Sequence, residues 1–155
     1  MHLSAAFPGA VETLALLKER GIALAAVTSR SRRTSVESLE AAGVSRFFGA
    51  VVSAEDVATL KPDPAPLRKA LELLGRDIEG AAMAGDTAAD IVAGKALGMW
   101  TVAALYGFHG REVLASGPDV ALEAIAELPA ALGLAPYWTK NSRSLGPSSG
   151  SGPDE

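Results

Sequence analysis

The feature that most constrains this chain is an alternation. Four short, almost uninterrupted apolar runs, "IALAAV" (22–27), "AVV" (50–52), "AAMA" (81–84) and "TVAAL" (101–105), are separated by stretches with helical spacing. Those stretches cover 10–20, 34–42, 64–74 and 88–97, and Gly21, Gly43, Gly75 and Gly98 stand where C-caps are expected. Pro8 and Gly9 read as the turn before the first of them. Apolar runs without polar alternation belong to strands covered on both faces. Strand and helix in turn, with short connections, predict an α/β fold, a Rossmann-like parallel sheet with helices on both faces. Weaker signals add a helix at 111–116, an extended piece at 119–122 and a last helix at 123–132. The 155 residues suffice for one domain with a real core. The partition is a core over 1–135 and a Ser/Gly/Pro-rich tail over 136–155, whose near lack of apolar residues predicts disorder.

Composition closes off several chemistries. There are no cysteines, which excludes disulfides, thiolate catalysis and cysteine-bound zinc. Only His2 and His109 are present, too few for a histidine-rich metal site. The net charge of −4 argues against nucleic acid or an anionic membrane as partner. No apolar stretch approaches the roughly 18 residues of a membrane span, and the first ten residues do not read as a signal peptide. The expectation is a soluble, cytoplasmic protein.

Ligands of parallel sheets bind at the carboxyl ends of the strands, and three polar signals fall there. Thr28 and Ser29 follow the first run, Lys61-Pro62-Asp63-Pro64 lies after the second, and Gly85-Asp86 follows the third, with Asp90 one helical turn further on. Hydroxyl and free N–H groups hold phosphate oxygens. An ammonium offsets their charge, and paired carboxylates suit Mg²⁺. Each signal also has a structural reading. Thr28 or Ser29 could cap the next helix, Lys61 could be a solvated surface lysine, and Asp86 and Asp90 could serve a helix N-terminus. Their order and common strand-end placement favour one shared site. "AGKAL" is no P-loop, because the Gly five positions before Gly94 is missing and no Ser or Thr follows Lys95. The order Thr, Lys, Asp also differs from that of a response-regulator receiver, where acidic residues come first.

These residues carry a resemblance. "FPGAVETLALLKERGIALAAVTSRS", "LKPDPAPL" and "AGDTAADIVAGKALGMWTVAALYGF" resemble, in order and spacing, the second, third and fourth motifs of the haloacid dehalogenase (HAD) superfamily, in particular its phosphoglycolate phosphatase-like branch. The resemblance runs from about Phe7 to Leu132. It implies an Mg²⁺-dependent phosphatase acting on a small phosphorylated metabolite. Thr28, Ser29 and Lys61 would hold the phosphoryl group, Lys61 and Asp86 would serve catalysis, and Asp86 and Asp90 would bind the metal. It also implies an Asp-x-Asp nucleophile motif on a central first strand. The seven aspartates, at 56, 63, 77, 86, 90, 119 and 154, include no such pair. The expectation is therefore a C-terminal core portion, inactive alone, lacking the first strand, the nucleophile and the cap domain. The alternatives are a non-catalytic phosphate- or Mg²⁺-binding remnant and half of a split enzyme. The strands at 22–27 and 81–84 would then flank a gap, and their exposed apolar edges predict weak stability and association with itself or a partner chain.

Overall fold

The computed structural model describes residues 8–134. The tail at 136–155, with its predicted disorder, lies outside the described residues. The described residues form five strands and five α-helices, alternating up to β4: α1 (Ala10–Glu19), β1 (Ala25–Val27), α2 (Arg32–Ala41), β2 (Ala50–Val52), α3 (Ala65–Leu74), β3 (Ala82–Gly85), α4 (Ala88–Ala96), β4 (Trp100–Ala104), β5 (Val120–Leu122) and α5 (Leu128–Ala131). All pairings are parallel, with Ala25 opposite Ala50, Ala82 opposite Trp100 and Val102 opposite Val120.

The sheet is in two pieces. β1 pairs with β2, and β3-β4-β5 form the other piece. Among the described residues no strand joins β1 to β3. A cavity of about 1110 Å³ lies there instead, lined by Ala25, Ala26 and Val27 on one side and Ala82, Met83 and Ala84 on the other. The gap expected between the strands at 22–27 and 81–84 is thus an open slot.

Helices hold the two pieces together. Leu14 and Leu17 of α1, Leu39 and Ala42 of α2, with Val44 and Phe47, form one apolar cluster, against which Ala26 and Val51 of the first sheet pack. A second cluster, Leu67 of α3, Met83 of β3, Ala93 of α4 and Met99, takes in Val27 of β1. It therefore reaches from one sheet piece to the other. Ile91 of α4 packs with Ala103 and Val113 in a third. Val52, Ile91 and Val102 are fully buried. Apolar burial of this kind stabilises by about 25 cal/mol per Å².

Three elements differ from the sequence expectation. The first strand is shorter than 22–27, because it has one neighbour only and β2 offers three residues. Gly49 N–H to Leu24 O (2.8 Å) and Thr28 N–H to Val52 O (2.9 Å) extend that contact by one step at each end. The expected helix at 111–116 is a 3-10 helix, Gly110–Ser116. The expected helix at 123–132 is a 3-10 turn, Ile125–Glu127, followed by the short α5. Pro129 lacks an N–H and so suits only the first turn of a helix, which is why α5 begins where it does.

Candidate active site at the carboxyl ends of β1 and β3

Lys61 is the hinge of the site. After β2 the chain makes a 3-10 turn, Ala54–Asp56, capped by the fully buried Ser53. Asp56 Oδ2 accepts from Ser53 N–H (2.7 Å), from Ser53 Oγ (2.8 Å) and from Arg32 Nη2 (2.5 Å). Arg32 above all, then Ser53, holds the Asp56 carboxyl well below the usual range. Ala54 N–H donates to Arg30 O at 2.8 Å, which ties this loop to the one after β1. The loop then delivers Lys61, whose peptide bond to Pro62 is cis. Its side chain is 9 % exposed. The ammonium donates to Val27 O of β1 (3.0 Å) and to Asp90 Oδ1 (2.5 Å). The surface-lysine reading fails, because a buried ammonium must be paired and this one is.

Asp90 is the third residue of α4, whose N-cap is Thr87. Thr87 N–H donates to Asp90 Oδ2 and Asp90 N–H to Thr87 Oγ1, both at 3.2 Å, forming a capping box. Gly85 makes this possible. A Cβ there would lie 2.3 Å from Asp90 Cβ, so only glycine lets the helix start so close to the strand end. Both Asp90 oxygens are engaged, one by Lys61 and one by Thr87.

Asp86 directly follows β3 without capping α4, since Thr87 has that role. Its Oδ2 accepts from Phe108 N–H at 3.1 Å. Nearby, burial first, then the Asp86 and Glu127 charges, pushes the Tyr106 phenol up to about 12. Across the slot, Thr28 Oγ1 accepts from Arg30 N–H at 3.1 Å. Neither Thr28 nor Ser29 caps α2. That cap is Ser31, whose Oγ accepts from Thr34 N–H at 3.2 Å.

The structure brings Thr28, Ser29, Lys61, Asp86 and Asp90 onto the wall of one cavity, with Arg30 beside them. Sequence reasoning missed Arg30, the Ser31 and Thr87 caps, and the turn that reaches Asp86. The caps had a signal, Ser or Thr three residues before a polar partner at a helix start. The turn at Phe108 had none, since it meets Asp86 only through the fold. The donor set suits a phosphate with a divalent cation. Lys61 has three donors and uses two. Mg²⁺ needs only one or two protein carboxylates when phosphate and water complete its shell. Asp86 supplies one, so the residues fit. Among the described residues no three His, Cys, Asp or Glu side chains gather to hold a metal alone. No helix among them is long and apolar enough to cross a membrane.

Comparison with known proteins finds relatives of this chain. The family model described as haloacid dehalogenase-like hydrolase matches residues 1–104. Pyrophosphatase PpaX of Halalkalibacterium halodurans is 36 % identical over 123 residues, 79 % of this chain and 57 % of its own length. The plasmid phosphoglycolate phosphatase of Cupriavidus necator is 36 % identical over 132 residues, 84 % of this chain and 57 % of its own. Among solved structures, CbbY from Rhodobacter sphaeroides in complex with phosphate superposes with a TM-score of 0.73 at 29 % identity, over 83 % of this chain and 59 % of that one. The chain thus spans little more than half the length of the relatives it matches.

Proposed function

Because this chain belongs to the haloacid dehalogenase-like hydrolase family, we propose that it supplies the phosphate- and metal-holding half of an Mg²⁺-dependent phosphatase. The substrate class is a small phosphorylated metabolite. The observation that carries this reading is the convergence of Thr28, Lys61 and Asp86 on one cavity at the carboxyl ends of β1 and β3. Relatives named as a pyrophosphatase and a phosphoglycolate phosphatase support the class. In this reading the Thr28 hydroxyl and the N–H groups after it hold phosphate oxygens. The third N–H of Lys61 is left to meet another. Asp90 aims the ammonium through its hydrogen bond, and Asp86 would hold Mg²⁺, whose charge would offset that of the phosphate.

No Asp-x-Asp occurs in the 155 residues. The group that attacks phosphorus therefore comes from beyond them, and the chain alone does not turn over. Its source is further sequence of the same polypeptide or a separate chain. The slot between β1 and β3 favours a strand as the carrier, because two strand edges face it and no strand among the described residues pairs them. A partner chain entering there, or a second copy, is the second reading.

The test is p-nitrophenyl phosphate hydrolysis with Mg²⁺. The chain alone is expected to be silent. The chain joined in frame to a strand carrying Asp-x-Asp is expected to hydrolyse, and Asp86→Asn to abolish the activity. Rescue by the segment in trans supports the partner reading. A folded joined protein without turnover overturns the proposal.

A further inference from the structure

After β4 the chain leaves the sheet at Leu105, whose N–H still donates to Leu122 O at 2.9 Å. It then turns twice. Gly107 N–H donates to Ala104 O (3.2 Å) and Gly110 N–H to Gly107 O (3.1 Å). This presses Gly107 against Asp86. A Cβ on residue 107 would lie 2.3 Å from Asp86 Cβ, 2.7 Å from Oδ2 and 2.8 Å from Cγ. All three contacts are shorter than any side chain tolerates. The next residue, Phe108, aims its backbone N–H at Asp86 Oδ2. Phe108 is 84 % exposed and its ring meets His109 edge-on, so core packing of the ring does not hold the turn in place. The main chain does.

We propose that the Gly107–Phe108 turn is a positioning device for Asp86. The Phe108 N–H holds Oδ2 in a charge-assisted hydrogen bond. That fixes the rotation of the carboxylate and leaves Oδ1, which the turn does not engage, for a divalent cation. Residue 107 must lack a Cβ for the N–H to reach. The inference rests on Asp86 being the cation ligand. Groups that orient a metal ligand from behind change metal affinity by about 10–100-fold when removed. Gly107 and Phe108 act through Asp86 and touch no reacting atom, so they are positioning residues.

The test uses the ¹⁵N-labelled chain, read by the Phe108 amide resonance and by Mg²⁺ affinity from the same titration. The Phe108 amide is expected to shift on Asp86→Asn and again when Mg²⁺ is added to the unsubstituted chain. In Gly107→Ala the turn must draw back. Mg²⁺ affinity is expected to fall about 10–100-fold, with the cation-free chain still folded under the conditions of the titration. A merely structural role would move the melting temperature and spare the affinity. Should Gly107→Ala not fold, the amide response to Asp86→Asn decides alone. Bound Mg²⁺ with a silent Phe108 amide, or an affinity within twofold in a folded Gly107→Ala, overturns the role of the turn. A chain that takes no Mg²⁺ overturns the metal reading of Asp86 itself.

Discussion

Removing the Lys61 ammonium tests the construction of the site most directly. In Lys61→Met the side chain keeps most of its volume and loses its charge. Asp90, 7 % exposed, is left with Thr87 N–H on Oδ2 and nothing on Oδ1. Breaking one side of a buried pair costs about 3–5 kcal/mol, because the other charge stays buried without compensation. A native domain has only about 5–15 kcal/mol in all. The substitution should therefore remove much of the stability and lower the melting temperature by roughly 6–20 °C for a chain of this size. Urea unfolding followed by circular dichroism gives the loss from the shift in midpoint at constant slope. The double variant Lys61→Met/Asp90→Asn is the control. Asn can still accept from Thr87 N–H, the unpaired charge is gone, and the double variant should recover at least half of the loss. A Lys61→Met chain within about 0.5 kcal/mol of the unsubstituted one, inside the range of ordinary surface changes, would refute the reasoning. It would mean that water in the slot solvates Asp90 as well as Lys61 does.

Two further outcomes are expected. Thr101, fully buried, donates its N–H (2.7 Å) and hydroxyl (2.8 Å) to Asp119 Oδ2, and these bonds hold the Asp119 carboxyl below its usual value. The unfolded chain then binds the proton more readily, so this contribution is present above the unfolded value of about 3.9 and is lost as pH falls through the lower folded one. Asp119→Ala should flatten the acid limb of a stability–pH curve, and an unchanged limb would sink the assignment. The edges of β1 and β3, which no strand among the described residues covers, should make the chain associate as concentration rises, read by light scattering after size exclusion. Ala84→Lys, at an exposed position of β3, should reduce it. A stable monomer at every concentration, unfolding in two states, would count against the open-edge argument.

Much of this was legible in the sequence, because the signals were local. The apolar runs gave β2 and β3 almost to the residue. The helical stretch at 64–74 is α3 with one extra residue at its start. Placing Thr28, Lys61 and Asp86 at strand ends was enough to bring them together, because a parallel sheet puts all its carboxyl ends on one side. What the sequence did not show was partnership across the fold. Asp90 at a helix start reads as a second metal carboxylate, and only the structure adds Lys61 on Oδ1 and Thr87 on Oδ2. Lys61 taken alone reads as a surface residue until its carbonyl and carboxylate partners are known. The weak elements after β4 failed for a different reason. Pro129 and the tight 3-10 turns leave too little periodicity for a pattern to show.

Lys61 has two roles that pull in one direction. It joins Val27 O of the first sheet piece to Asp90 beside the second, across a slot where no backbone pairing exists among the described residues. It is also the cation that would meet a phosphate. Were these separate residues, the strand ends could drift apart while each kept its own chemistry. With one ammonium serving both, the spacing of β1 and β3 and the place of the positive charge are set together. Asp90 gains the same economy, since its capping box fixes the start of α4 and its other oxygen fixes Lys61. The site is therefore held in shape by the groups that line it. That is how a sheet open between β1 and β3 can still present Thr28 and Asp86 to one cavity.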